Sequence, residues 1–158
     1  MLNIIIPNEA NNKTTIGKIN IILFGIITIV TLLRSMAHVF LPDGGANSIA
    51  TLITFTESPD PDAVIHFVFS LWGLSQLLMG FFYILVLAKY RNLIPLMWVF
   101  ILMEYLGRVL IGTVLKPLGE YYFVGTAPGV IGNYVIIPFA LVMIIYSIYE
   151  TKRKKSNA

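Results

Sequence analysis

The stretch from Leu93 to Leu115, LIPLMWVFILMEYLGRVLIGTVL, is long and apolar enough to cross a bilayer, yet it carries Glu104 near its middle and Arg108 four residues later. A glutamate and an arginine at that spacing share one helix face and can touch. Within hydrocarbon such groups are costly unless they face protein or water, and they commonly mark substrate paths, proton relays or counter-ions. A second arginine, Arg34, lies in another apolar run, beside a polar stripe made by Thr28, Thr31, Ser35 and His38. Two arginines facing one glutamate leave a positive charge that calls for a bound anion, a lipid headgroup or carbonyls. His66, Ser70 and Asn133 complete the polar residues embedded in apolar surroundings. The chemistry open to Arg34, His38, His66, Ser70, Glu104, Arg108 and Asn133 is recognition of a small anionic or amphipathic ligand or a lipid. Acid–base work by Glu104 with a histidine needs both within hydrogen-bond reach of a substrate.

For these residues to meet, several apolar segments must pack side by side. The composition is 57% apolar and 12% charged, against roughly a quarter charged in ordinary globular chains. Charges avoid four long segments, at about 19–41, 63–88, 93–115 and 129–149, so the expected fold is an all-α integral membrane four-helix bundle. Residues 16–150 form this domain, between a polar, frayed tail at 1–15 and a basic tail at 151–158. A signal-peptide reading of the first span competes, because Lys13 and Lys18 precede it and Ser35-Met36-Ala37 is small-x-small. Arg34 directly before that site, and the apolar residues after it, favour retention.

The connections follow from turn chemistry. Pro42-Asp43-Gly44-Gly45 stops the first span, and the apolar run 46–55 is too short to cross, which suits a short helix or loop at the interface. Asp62 is expected to cap the second span, with Pro61 blocking extension backwards. Pro138 predicts a kink in the fourth span, and Tyr121, Tyr122 and Phe123 are the expected anchors at headgroup level. Lys13, Lys18, Lys89, Arg91 and the terminal Lys152-Arg153-Lys154-Lys155 run fall on one side of the membrane, whereas the first outer loop carries only acidic charge. The excess of basic residues places both termini in the cytoplasm.

Counting inward from the outer ends, His38 and His66 lie about 4–5 Å deep, Asn133 about 6 Å, Arg34, Ser70 and Arg108 about 10 Å, and Glu104 about 16 Å. Small and polar residues also recur on single faces: His66, Ser70, Gly73, Leu77 and Gly80 on the second span, and Glu104, Arg108 and Gly112 on the third. The expectation is an outward-facing polar recess. A three-ligand metal site is rejected, because the depths separate Glu104 from both histidines by more than ligands 2–2.5 Å from one ion allow, roughly. No cofactor motif is present, and the chain has no cysteine for disulfide, thiolate or cluster chemistry. The net charge of +3 comes from the terminal basic run, so nucleic acid is not an expected partner. Membrane lipids are, together with a second copy or another membrane protein.

The Asp43 to Asn47 region, the glycine-bearing second span and Gly107-Arg108 in the third are similar to a bacterial four-span membrane family, domain of unknown function 4345. The resemblance covers most of the chain in outline and implies a four-helix fold in a bacterial inner membrane. It brings no activity with it. Three functions compete on the residues alone, beside a purely structural subunit. A binding or accessory protein would use the recess. A transporter would need an inner polar route, where only Asn20, Gln76 and Tyr83 are found. An enzyme acting on a lipidic substrate would rest on Glu104 and a histidine.

Overall fold

The computed structural model describes residues 2–156. Its elements are a short α1 (Leu2–Ile5) and four long helices, α2 (Lys18–Phe40), α3 (Pro61–Lys89), α4 (Ile94–Leu110) and α5 (Pro128–Ser156). A π-helical turn, Ile111–Leu115, extends α4, and three-residue 3₁₀ turns occupy Arg91–Leu93 and Glu120–Tyr122. Each of the four spans is long and apolar enough to cross a membrane. Large apolar side chains such as Ile29, Leu33, Phe67, Leu78, Met103 and Ile145 point outward. That surface suits lipid as solvent, so the chain has the build of an all-α multi-pass membrane protein.

The bundle is two helix pairs, α2 against α3 and α4 against α5, whereas α3 and α4 barely touch. Aromatic rings join the pairs. Phe24 of α2 meets Tyr83 of α3 edge-on at 5.2 Å and Trp98 of α4 at 5.7 Å, and Trp98 meets Phe139 of α5 at 5.6 Å. Asn20 is fully buried in this layer, and hydrocarbon would leave its amide without partners. The amide instead donates to Ser147 Oγ at 2.6 Å and accepts from Trp98 Nε1 at 2.7 Å, joining α2, α4 and α5.

Close approach of α2 and α3 depends on glycine. A Cβ at Gly73 would lie 2.6 Å from His38 Cβ, and one at Gly80 would lie 2.7 Å from Leu32 Cδ2. Of the faces expected from sequence, α3 buries Gly73, Gln76, Gly80 and Tyr83, so Gln76 rather than Leu77 occupies the contact stripe. A Cβ at Gly112 would meet nothing within 4 Å, so this glycine does not mark a close helix contact.

At the termini end the N-terminal segment is tied down rather than frayed. Gly17 N–H donates to Glu150 Oε2 at 2.7 Å, and Thr15 and Thr151 hydroxyls pair at 2.8 Å. Asn92 accepts from Asn11 N–H at 2.9 Å and donates to the Glu9 carbonyl at 2.7 Å. These bonds supply backbone groups that a polar tail would otherwise give to water. The segment before α2 and the last turns of α5 therefore lie at one end of the bundle. The expected basic tail is instead the last turn of α5, where Lys152, Arg153 and Lys154 complement the negative end of the helix dipole. Residues 157 and 158 lie outside the described residues. Pro138 sits inside the same helix.

At the opposite end, the start of α3 also differs from expectation. Asp60 is the cap, accepting from Asp62 N–H at 2.9 Å, and Pro61 is the first helical residue. Proline suits that position because its missing N–H would be unpaired there anyway. Asp62 Oδ2 instead accepts from Phe55 N–H at 3.2 Å. The segment after α2 is a series of turns with no helix. Asp43 gathers it by accepting from Gly45, Asn47 and Ser48 N–H groups at 2.7–3.1 Å and from the Ser48 hydroxyl at 3.1 Å. Burial works against ionisation of Asp43, but these donors outweigh it and hold the carboxyl at about 2. The two loops at this end are clasped by an isolated β-bridge between Leu52 and Phe123, with Ile53 N–H donating to Tyr122 and Val124 N–H to Thr51.

Candidate functional site

The polar residues within the spans fall into two groups. Arg34, Glu104 and Arg108 form the first. Arg108 pairs directly with Glu104 Oε1 one turn away, and Arg34 Nη2 from α2 stands 3.9 Å from the same oxygen. Gln76 of α3 completes the network: its Oε1 accepts from Arg34 Nη2 at 2.7 Å and its Nε2 donates to Glu104 Oε1 at 3.0 Å. Three helices thus meet at one carboxylate. Tyr105 lies between the two guanidiniums, accepting from Arg34 Nη1 at 3.3 Å through its hydroxyl, with Arg108 over its ring at 5.1 Å. Arg108 is also 5.0 Å from the Trp72 ring centre. Flat, weakly hydrated guanidinium groups stack well on such rings.

His38, His66 and Ser70 form the second group, under the Asp43 loop. His38 is buried, and its Nδ1–H donates to the Gly44 carbonyl at 2.7 Å, which fixes the tautomer because a carbonyl only accepts. His66 Nε2 is 2.8 Å from Asn47 Oδ1, while the Asn47 amide nitrogen donates to the Leu52 and Ile53 carbonyls. His66 is therefore the donor in that pair. The Ser70 hydroxyl turns back onto the His66 carbonyl at 3.0 Å. Gly44 and Gly45 let the loop pass this closely: both have positive φ, and a Cβ on Gly45 would lie 2.9 Å from His38 Nδ1. The two histidines latch the loop and leave no ring nitrogen bonded to the Glu104 group. Asn133 Oδ1 is buried without a hydrogen-bond partner among the described residues, and no bond joins Asn133 to either group.

The Glu104 group borders a cleft of about 430 Å³ that opens sideways between α3 and α4, with Trp72, Gln76, Met79, Phe100, Met103 and Glu104 in its walls. The opening exists because α3 and α4 are neighbours in sequence but not packing partners. The Glu104 side chain remains 35% exposed there, against 22% for Arg34 and 18% for Arg108, and neither arginine lines the cleft. A second groove of about 430 Å³ lies at the loop end, where Val68 and Phe69 of α3 face Leu52, Phe55, Leu118 and Tyr122.

Sequence reasoning counts Gln76 among the inner polar residues and gives it no part in the recess. The spacing of Gly73, Gln76, Gly80 and Tyr83, three, four and three residues apart, is the signal that could have placed it on the contact face. Trp72 and Tyr105 carry no comparable signal, since aromatic residues abound in these spans. No family model matches the chain, and searches of curated proteins and of solved structures find no relative.

Proposed function

We propose that this chain is a membrane-embedded binding protein whose ligand is an amphiphile held in the α3–α4 cleft, with a headgroup that donates a hydrogen bond to Glu104. The observation that carries this reading is which side of the network faces the cleft: Glu104 and Gln76 line it, while the guanidiniums supply counter-charge from elsewhere. Mostly apolar walls with few convergent polar groups are the usual form of a small-molecule site. An acceptor in such walls selects a hydroxyl, phenol or amine on a long apolar body. An anionic headgroup, the first expectation from two arginines, would find the carboxylate and no guanidinium in the cleft wall. Transport across the membrane is less well supported, because a route inward from the cleft would have to pass the buried layer of Phe24, Tyr83 and Trp98.

The arrangement of charges supports a cytoplasmic location for the termini end, where Lys13, Lys18, Lys89, Arg91 and the last turn of α5 gather. Membership of the four-span family that the sequence resembles belongs to the same proposal.

The test compares octadecanol with stearate on the purified protein in nanodiscs, with occupancy read by native mass spectrometry. Octadecanol should bind in preference to stearate, and its occupancy should fall in Glu104→Leu. Met103→Trp, which fills the cleft from an exposed position without touching the charges, should have the same effect. Equal occupancy by stearate, or undiminished octadecanol in folded Met103→Trp, rejects the reading.

A further inference from the structure

The α3–α4 cleft and the loop-end groove lie along one face of α3. Ile65, Val68, Phe69, Trp72, Gln76 and Met79 follow one another at spacings of one, three and four, the set that lines a single helix face. Phe69 of the groove and Trp72 of the cleft meet edge-on at 5.9 Å, so the two cavities adjoin at that pair. From Gln76 to Val64, the far end of the groove, is twelve residues, or about 18 Å along the axis.

The cleft closes toward the termini. Tyr83 is 2% exposed and packed on Phe24, and beyond it α3 and α4 are drawn together by the short turn Arg91–Leu93. Toward the loops the two helices separate. The chain from Leu110 to Leu118 is exposed throughout, so nothing from α4 fills the space beside Val68. The groove there is lined almost wholly by hydrocarbon and aromatic surface, and the clasped Leu52–Phe123 loops roof it. Besides its sideways opening, the cleft has this groove as its apolar continuation toward the loops, past Trp72 with Arg108 stacked on its ring.

We infer that the loop-end groove holds the hydrocarbon tail of the same amphiphile, so that the ligand lies along α3 with its polar group at mid-membrane and its tail pointing to the loop end. This rests on the reading of the cleft given above. The orientation is the reverse of a bilayer lipid in the leaflet at the loop end, whose headgroup sits outermost. It selects single-chain molecules with a small donor headgroup and excludes two-chain lipids with bulky polar heads.

The probe is octadecanol carrying a photoreactive diazirine at its chain end, added to the full chain in nanodiscs and mapped by peptide mass spectrometry. Adducts should concentrate on residues 64–69 and 118–122 and fall severalfold with excess unlabelled octadecanol. Val68→Trp fills the groove from an exposed position and should displace these adducts while sparing the fold. Competed adducts on Met79, Tyr83 or Phe100 would overturn the inference and leave the cleft reading standing. Adducts scattered over outward residues such as Ile29 and Ile145, with no competition, would overturn both.

Discussion

The side-chain amide of Gln76 donates to the Glu104 carboxylate at 3.0 Å, and this bond spans the two helices that otherwise barely touch. The same amide accepts from Arg34 with its oxygen, so one uncharged residue orients two charged ones. Gln76→Leu removes both bonds and leaves charged groups without their partners. Interhelical polar contacts in membranes average about 0.6 kcal/mol and reach about 1.7 kcal/mol, so a loss of about 1–2 kcal/mol is expected. Ser75→Leu is the control, because Ser75 bonds only to the Leu71 carbonyl of its own helix and is exposed. Thermal unfolding in one detergent should separate the two variants; equal midpoints would show that Gln76 does not join α3 to the cluster.

The glycines divide into those that are packed and those that are not. Gly73→Ala forces a methyl against His38 and the α2 backbone, and overpacking of this kind costs roughly 1–3 kcal/mol. Gly112→Ala meets nothing and should be neutral or slightly stabilising. Unfolding midpoints that ranked the two variants the other way would contradict the α2–α3 contact.

Asp43 makes the loop over the histidines sensitive to acid. Its folded carboxyl titrates at about 2 rather than at its ordinary 3.8, so the unfolded loop binds the proton more readily. The stability it contributes is fully present above about pH 4 and is lost as the pH falls through about 2. Pepsin digestion across that interval should show cleavage between Leu41 and Phe55 rising as the pH drops. Asp43→Asn should be cleaved readily throughout, with the step removed; an unchanged step in the variant would assign it to another group.

The start of α2 and the end of α5 lie together, which fixes an accessibility pattern for any orientation. Cysteines introduced at the exposed positions Ser58 and Ser156 should react with an impermeant reagent from opposite sides of a sealed membrane. Placement of the termini in the cytoplasm predicts that Ser58→Cys labels in intact cells and Ser156→Cys only after lysis. Labelling of both in intact cells would contradict a four-span topology.

The spans were readable because hydrocarbon imposes a length and a composition on any helix that crosses it, and α2 differs from its expected bounds by one residue at each end. The meeting of Arg34, Arg108 and Glu104 was foreshadowed by charge, since unpaired cations in a membrane seek a partner. Which side of Glu104 faces a cavity was not readable. That depends on α3 and α4 diverging beyond a short turn, and pairwise helix packing leaves no periodic mark that distinguishes a full seam from an empty one. The hydrogen-bond partners of the histidines were not readable for a related reason. Depth alone set them near the recess, but turns around Asp43 fold back over them, and a run of turns has no residue period to read.

The bond between Gly17 and Glu150 has a temporal meaning. The carboxylate that satisfies the first residue before α2 is encoded 133 residues later. At ~5–20 residues per second, it emerges from the ribosome about 7–27 s after its partner. Once α3 is complete at Lys89, 61 residues and about 3–12 s remain, during which α2 and α3 must persist as a hairpin held by Gly73, Gly80 and their own contacts, with Asn20 still lacking Ser147. The helix pairs of the finished bundle are thus also its order of synthesis: the α2–α3 pair is made first, and the α4–α5 pair brings the groups that close the seam at the termini.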